Sequence, residues 1–331
     1  MASGGRRAGK TGGRRRCMII TSIIVALVVI ALAIGLGVGL GRDHGGGSSS
    51  GSSSASPASG TPLPSPPANG SIYQPAVNST WQIVLQNPIN VSTTITPHVD
   101  VYDIDMFTNP QSTIQSLQQA GMKVICYFSA GSYEPSRPDS GDFQAADKGK
   151  ELAGWPGEYW LNLNSTNVRQ IMVKRMQLAA QKGCDAVDPD NVDGYSNDNG
   201  LGLTQQDSID FVQFLAEHAR NLSLAIGLKN AGDIVQNVLP VVQFSVNEQC
   251  IHYSECATFA PFVAAGKPVF NIEYPSGAGS TIAVEKYQTI CTDSGNAANS
   301  TDFSKVMKTM DLTGWVEYCN GSVFDTSMSS S

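Results

Sequence analysis

From residue 81 onward the chain repeats one pattern, a short apolar run followed by a stretch with helical periodicity. Apolar runs without polar alternation are typical of parallel strands buried on both faces, and the helices between them supply the crossovers. Eight such runs predict a (β/α)8 barrel of the TIM type. An open doubly wound sheet is the alternative, although the chain has no GxGxxG or P-loop signature. The runs lie at 81–86, 99–107, 123–130, 184–190, 224–230, 242–248, 267–275 and 314–319, and the pattern is weakest between 276 and 313.

Polar side chains recur where these runs end. In a barrel of this type the carboxyl ends of the strands meet at one face, which carries the catalytic groups. Packing alone explains the apolar runs but not the polar groups that follow them. We therefore expect the active site at this face. The strand-end residues are Asp105, Asp190, Lys229, Asn230, Glu248, Glu273 and Tyr274.

The segment CDAVDPDNVDGY, residues 184–195, places three aspartates within six positions. An EF-hand loop is excluded because the fifth and twelfth positions counted from Asp188 are Val192 and Asn199. The histidines and cysteines are not clustered at zinc-ligand spacing, and a G-x-S-x-G nucleophile elbow is absent. The sequence thus predicts no metal site, and it favours carboxylate chemistry.

Hydrolysis of a glycosidic bond requires two carboxyl groups, one as nucleophile or base and one as proton donor. Asp188 and Asp190 point the same way from a strand, and Asp190 lies at the tip. Asp188, one layer deeper, would orient a neighbour or raise its pKa. Glu248 ends a different strand and is the candidate second carboxyl group. A structural or ligand-holding role for the cluster stays open at this point.

The N-terminal region differs from the rest in composition. Residues 18–40 form an uncharged apolar run of 23 residues, which as a helix would reach about 34 Å and could span a bilayer. Six basic residues precede this run, so we expect residues 1–17 to stay in the cytosol. Residues 41–71 are rich in Gly, Ser and Pro and predict a disordered stalk. The sequence predicts a type II membrane protein whose external catalytic domain covers 72–325 and ends in a disordered tail, 326–331, with shedding of the external part left open.

Sequons and cysteines agree with an external domain. The chain has seven cysteines; we expect pairs between Cys250 and Cys256 and between Cys291 and Cys319. Buried free thiols are expected at Cys126 and Cys184. All the sequons fall on the side of the chain predicted to be external. They begin at Asn69, Asn78, Asn90, Asn164, Asn221, Asn299 and Asn320.

The charge is also unevenly distributed. Seven of the 21 basic residues and none of the 28 acidic ones lie in the first 42 positions, so 14 basic residues face 28 acidic ones in the remainder. This balance argues against a nucleic-acid partner and favours a neutral or cationic one. Solubility of a secreted protein would explain the same excess of acid.

Seven blocks stand in the order found in one known family: YDIDMF, VICYFSAGSYEPSRPD, EYWLNL, GCDAVDPDNVDGY, GLKN, VNEQCIHYSEC and GKPVFNIEYP. The chain resembles glycoside hydrolase family 114, the endo-α-1,4-polygalactosaminidases, and looks like a fungal membrane-anchored member. The resemblance implies a (β/α)8 barrel that cleaves internal α-1,4 linkages in galactosamine polymers, without a cofactor and as a monomer. Asn162 departs from the family, in which we expect Asp; the change is harmless if this residue orients a loop.

The resemblance also assigns roles to residues. Asp190 matches the nucleophile and Glu248 the acid/base of a retaining mechanism, in which Glu248 needs a raised pKa. Two rival hypotheses are a barrel glycosidase acting on another α-linked glycan and a surface carbohydrate-binding protein without catalysis. Trp155, in a loop, is the aromatic residue that we expect to touch sugar. The remaining residues placed around the sugar are Asp105, Tyr127, Asp188, Asn191, Asp193, Lys229, Asn230, Glu273 and Tyr274.

Overall fold

The computed structural model describes residues 72–92 and 94–329. The predicted cytosolic tail (1–17), membrane helix (18–40) and stalk (41–71) lie outside the described residues. Within the described ranges, no helix is both long enough and apolar enough to cross a membrane.

One ten-stranded sheet organises the domain. Its first eight strands are β1, β2, β3, β7, β8, β9, β10 and β11, each parallel to the next, and β12 and β13 continue it antiparallel. β4, β6 and β5 form a separate small sheet. The strands are β1 (Trp81–Val84), β2 (Val101–Asp105), β3 (Lys123–Ser129), β4 (Ser132–Tyr133), β5 (Lys148–Glu151), β6 (Tyr159–Leu161), β7 (Ala186–Asp190), β8 (Ala225–Lys229), β9 (Phe244–Glu248), β10 (Val269–Glu273), β11 (Ser304–Met307), β12 (Trp315–Tyr318) and β13 (Val323–Asp325).

The sheet curls so that its two ends approach each other. The indole of Trp81 on β1 donates to the carbonyl of Ser304 on β11 at 2.8 Å, and the hydroxyl of Tyr318 donates to the carbonyl of Trp81 at 2.8 Å. This curled, mostly parallel sheet is consistent with the predicted TIM-type fold. The predicted eighth strand is corrected: 314–319 contains the antiparallel β12, and the eighth parallel strand is β11, a four-residue segment too short and too polar to stand out.

Helices follow most of the parallel strands. The longest, α2 and α3, each begin with a side-chain cap, from Ser165 and Thr204 respectively. Strand alternation then separates two cores, an outer one between sheet and helices and an inner one enclosed by the sheet. The helices are α1 (Gln111–Gln119), α2 (Thr166–Lys182), α3 (Gln205–Asn221), α4 (Val235–Val238), α5 (Cys250–Tyr253), α6 (Ala260–Ala264) and α7 (Val284–Cys291).

The inner core closes the floor beneath the strand ends. Aromatic rings of Trp81, Phe244 and Phe270 pack against one another there, with centroids 4.9 and 5.7 Å apart. Gly227 makes room for this layer, since a Cβ at that position would lie 2.4 Å from the ring of Phe244. Nearer the carboxyl ends of the strands, the side chains of Tyr127, Lys229 and Glu248 line an open space instead.

Three disulfides link the domain. The predicted pairs Cys250–Cys256 and Cys291–Cys319 are present. The expectation of free thiols at Cys126 and Cys184 is wrong, because these residues form a third disulfide. Neighbouring strands β3 and β7 bring the two cysteines together on the outer side of the sheet.

The prediction of a disordered tail at 326–331 is wrong for residues 326–329, where the described part of the chain ends. Thr326 is buried and accepts a hydrogen bond from the Gln82 amide, and Met328 bridges to Ile89. The segment after β13 thus packs against the beginning of the domain.

Candidate active site

The carboxyl ends of the parallel strands open into a cleft of about 900 Å³. Among the described residues that line it, nine are carboxylic acids, and only Arg137 and Lys229 are basic. Both cations form ion pairs with carboxylates of the cleft. The acidic excess seen in the sequence is therefore concentrated at the predicted catalytic face.

Lys229 holds the two candidate catalytic carboxylates together. Its ammonium nitrogen lies 3.1 Å from Oδ1 of Asp190 and 2.7 Å from Oε2 of Glu248. The two contacts add up to 5.8 Å, which is therefore the largest possible separation of these two oxygens. That limit falls below the roughly 6.5–9.5 Å that separate the carboxyl groups of inverting glycosidases.

Each carboxylate has further donors. Asp190 accepts from the hydroxyl of Tyr127 at 2.9 Å. Glu248 accepts from the amide of Asn230 at 3.0 Å and from the hydroxyl of Tyr274. Strands β3, β7, β8 and β9 thus each contribute a side chain to one hydrogen-bonded group. Asn230 and Tyr274 join this group from the positions directly after β8 and β10.

The charge state of Glu248 differs from the expectation. Burial would raise the pKa of Glu248, but the ammonium of Lys229 and the hydrogen bonds from Lys229, Tyr274 and Asn230 outweigh burial and lower the pKa to about 2. The raised pKa expected for Glu248 is absent because Lys229 is a direct partner of its carboxylate, which the sequence pattern does not reveal. Glu248 is therefore a carboxylate in the free enzyme. Burial lowers the pKa of Lys229, but the negative charges of Asp190, Glu248 and Asp188 outweigh burial and raise it.

A second pair of acids lies beneath the first. Asp103 and Asp188 are fully buried, and none of their four carboxyl oxygens has a hydrogen-bond partner among the described residues. Burial raises the pKa of Asp188 to about 8 and that of Asp103 well above its usual value. The pair therefore holds a proton at neutral pH. Asp188 has the deeper position predicted for it, below the cleft rather than in its lining.

Asp105 supports the cleft wall. Its carboxylate lies 2.6 Å from Arg137 and accepts from the backbone of Phe107 and Thr108. Arg137 also contacts Glu134 at 2.6 Å. One guanidinium is thus shared by two acids of the lining.

The structure brings most of the other predicted residues to the cleft. Asp193 lines it, and burial, followed by the charge of Asp190, raises its pKa to about 6. The side chain of Asn191 turns toward Ser129, to whose hydroxyl it donates at 2.9 Å. Trp155 lines the cleft from a loop and is 58% exposed.

Glu273 is not among the lining residues, and its predicted contact with sugar is corrected. On β10 the neighbouring Ile272 points into the inner core, so Glu273 points outward. Its carboxylate accepts from the backbone nitrogens of Ile251 and His252 at 2.9 and 3.3 Å and so supports α5. Asn162 accepts from the backbone of Asn164 and likewise lies outside the cleft lining, which agrees with a loop role.

Sequence reasoning missed four residues of the site. Asp103 carried a signal, since it precedes Asp105 by two positions and must share its face of β2. Glu134, Arg137 and Glu158 come from the segment between β3 and α2, where no strand-end pattern marks them.

The comparisons with known proteins agree with this geometry. The family model described as "Glycoside-hydrolase family GH114" matches residues 63–324. The chain belongs to this family. As a GH114 protein it is a glycoside hydrolase, which confirms the resemblance seen in the sequence. No curated protein matches the chain.

Two solved structures are similar to the GH114 chain. The crystal structure of Aspergillus fumigatus Ega3 in complex with galactosamine has 52% identity and a TM-score of 0.71, and the match covers 76% of this chain and 100% of Ega3. The glycoside hydrolase domain of PelA from Pseudomonas aeruginosa has 12% identity and a TM-score of 0.53, with 70% and 95% of the two chains covered. At that identity PelA supports the fold alone.

Proposed function

We propose that this GH114 enzyme cleaves internal α-1,4 linkages of galactosamine-containing polysaccharide by a retaining mechanism. The observation that carries the proposal is the pair Asp190 and Glu248, joined by Lys229 at the floor of an acidic cleft. The similarity to Ega3, whose crystals contain galactosamine, supports the choice of sugar. An amino sugar with a free amine is cationic near neutral pH, and an anionic cleft would concentrate and orient such a polymer.

The reaction proceeds in two displacements. Asp190 attacks the anomeric carbon while Glu248 gives a proton to the leaving oxygen, and a covalent glycosyl-enzyme results. Water, deprotonated by Glu248, then releases the sugar with its original configuration. The 5.8 Å limit on the separation of the two oxygens favours this scheme over inversion.

The first displacement requires a proton on Glu248. In the free enzyme Lys229 keeps Glu248 ionised. A sugar that loosens the contact between Lys229 and Glu248 lets burial dominate, and burial raises the pKa of the carboxyl group. Lys229 would then keep its contact with the nucleophile Asp190.

We further propose that the domain is a complete (β/α)8 barrel, monomeric, glycosylated and held outside the cell by the segment 18–40. Three disulfides support an oxidising compartment. The positive charges before residue 18 support the orientation of the anchor.

The test measures the release of reducing ends from a partly deacetylated α-1,4-galactosamine polymer by the chain from residue 70 onward. We expect the wild type to produce oligomers, and Asp190→Asn and Glu248→Gln each to lose at least about 10³-fold in kcat. A wild type that binds the polymer without cutting it would support the carbohydrate-binding alternative. A wild type that cuts only another α-linked glycan would overturn the choice of substrate but retain the fold and the chemistry.

A further inference from the structure

We propose that Glu134 and Glu158, together with the indole of Trp155, form a subsite that binds the ammonium group of one amino sugar beside the catalytic pair. The inference rests on the proposed function and deepens it, because it names the residues that distinguish a free amine from an N-acetyl group. The subsite lies in the part of the cleft formed by the segment between β3 and α2.

A hydrogen-bonded loop between β5 and β6 presents the aromatic ring and one of the acids together. The backbone nitrogen of Glu158 donates to the carbonyl of Trp155 at 3.1 Å, and that of Leu152 donates to the carbonyl of Glu158 at 2.9 Å. Trp155 is 58% exposed, whereas Glu158 is half-buried. An exposed indole can pack on the apolar face of a pyranose and attract a nearby cation through its ring.

The charges of this region are not balanced within the protein. Arg137 is shared between Asp105 and Glu134, so the three groups carry one net negative charge when all are ionised. Glu158 adds a second acid. Glu134 and Glu158 line the same cleft as the catalytic carboxylate Asp190.

Glu134 has a free hydrogen-bonding position. The residue is 9% exposed and lines the cleft; its Oε1 contacts Arg137, and its Oε2 has no hydrogen-bond partner among the residues that the structure describes. A buried carboxylate oxygen without a donor costs free energy, which a bound ammonium group would recover. Glu134 thus offers the ligand an acceptor that the fold leaves unused.

The environment of Glu158 is suited to a cation. Burial, followed by the charge of Glu134, raises the pKa of Glu158 to about 7, although Arg137 opposes them. An ammonium group bound beside Glu158 would reverse this effect and favour the ionised form of Glu158. An N-acetyl group carries no positive charge, so it would leave the negative charge of the acids without a counter-charge. A site built to bind one polar group of a substrate discriminates strongly against an analogue that lacks this group.

The experiment compares end-labelled α-1,4-galactosamine oligomers of equal length, either fully deacetylated or N-acetylated at a single defined position. The enzymes are the wild type, Glu158→Gln, Trp155→Ala and the control Glu217→Gln, which removes the same charge from the exposed outer face of α3. The measured quantity is the ratio of kcat/KM on the deacetylated oligomer to kcat/KM on the oligomer acetylated at the position that the wild type tolerates least.

We expect Glu158→Gln to reduce this ratio at least tenfold, Trp155→Ala to raise KM on both oligomers, and Glu217→Gln to match the wild type within twofold. A ratio in Glu158→Gln within twofold of the wild type would overturn the inference, as would an equal loss on both oligomers. Either result leaves the proposed function in place as long as the wild type cuts, whereas a wild type that cuts neither oligomer refutes the proposed function itself.

Discussion

Lys229 determines the electrostatics of the site at the scale of single residues. One ammonium group contacts both catalytic carboxylates and lies above a third acid, Asp188. Without this cation, the two neighbouring carboxylates would repel each other with no positive charge between them. The expected raised pKa of Glu248 therefore fails in the free enzyme because Lys229, contributed by β8, contacts its carboxylate, and Tyr274 and Asn230 add hydrogen bonds to it.

The buried pair Asp103 and Asp188 gives a prediction about stability and pH. The pKa of Asp188 in the folded protein is about 8, above its value of about 4 in the unfolded chain. The folded state therefore binds more protons between these values, and its free energy of unfolding falls as the pH rises through this window. Asp188→Asn can donate to Asp103 without an added proton. We expect the stability of the variant relative to the wild type to increase from pH 5 to pH 8.

Urea unfolding at pH 5, 6.5 and 8 measures this difference. Asp193 and Glu158 also have raised pKa values, but both are present in the two proteins, so their contributions cancel. Parallel stability curves for the wild type and the variant would show that the pair does not hold a proton.

At the scale of secondary-structure elements, the loops after two neighbouring strands position the nucleophile, Asp190. The backbone nitrogens of Ala130 and Gly131, just after β3, donate to the carbonyl of Asp190 at 2.8 and 3.0 Å. Glycine is required at position 131, because a Cβ there would lie 1.7 Å from the carbonyl oxygen of Asn191. The two loops therefore fix the end of β7.

We expect Gly131→Ala to lower the free energy of unfolding by about 1–3 kcal/mol through overpacking. It should also lower kcat by about 10–100-fold, because small displacements of a reacting group are costly. Gly141→Ala is the matched control, since nothing lies within 4 Å of its Cβ position. Urea unfolding and polymer cleavage measure both effects, and equal behaviour of the two variants would refute the role of the loop contact.

The sequence predicted much of the whole molecule because strand periodicity and strand-end chemistry are local signals. Seven of the eight runs contain successive parallel strands, and the end of each of β2, β7, β8 and β9 supplies a residue of the cleft. Glu273 was misplaced because a strand-end position does not reveal which face a side chain takes. The position of Ile272 in the inner core shows that the next residue, Glu273, points to the outer face.

The remaining errors involve long-range packing. β11 has only four residues, and it becomes part of the sheet by pairing with β10. Such a short segment leaves no apolar run in the sequence that would mark it. The disulfide between Cys126 and Cys184 depends on the adjacency of β3 and β7 across a 58-residue separation. Glu134 and Glu158 reach the cleft only through the small sheet of β4, β5 and β6, whose strands have two to four residues.

The division of roles between Asp190 and Glu248 is the central claim, and azide rescue tests it most directly. The enzymes are Asp190→Ala and Glu248→Ala, the substrate is an aryl α-galactosaminide oligomer with a good leaving group, and NMR gives the anomeric configuration of the glycosyl azide. In a retaining enzyme with Asp190 as nucleophile, azide attacks the glycosyl-enzyme of Glu248→Ala and yields the α-azide. In Asp190→Ala it replaces the nucleophile and yields the β-azide. A β-azide from Glu248→Ala would show that the two carboxylates have the opposite roles.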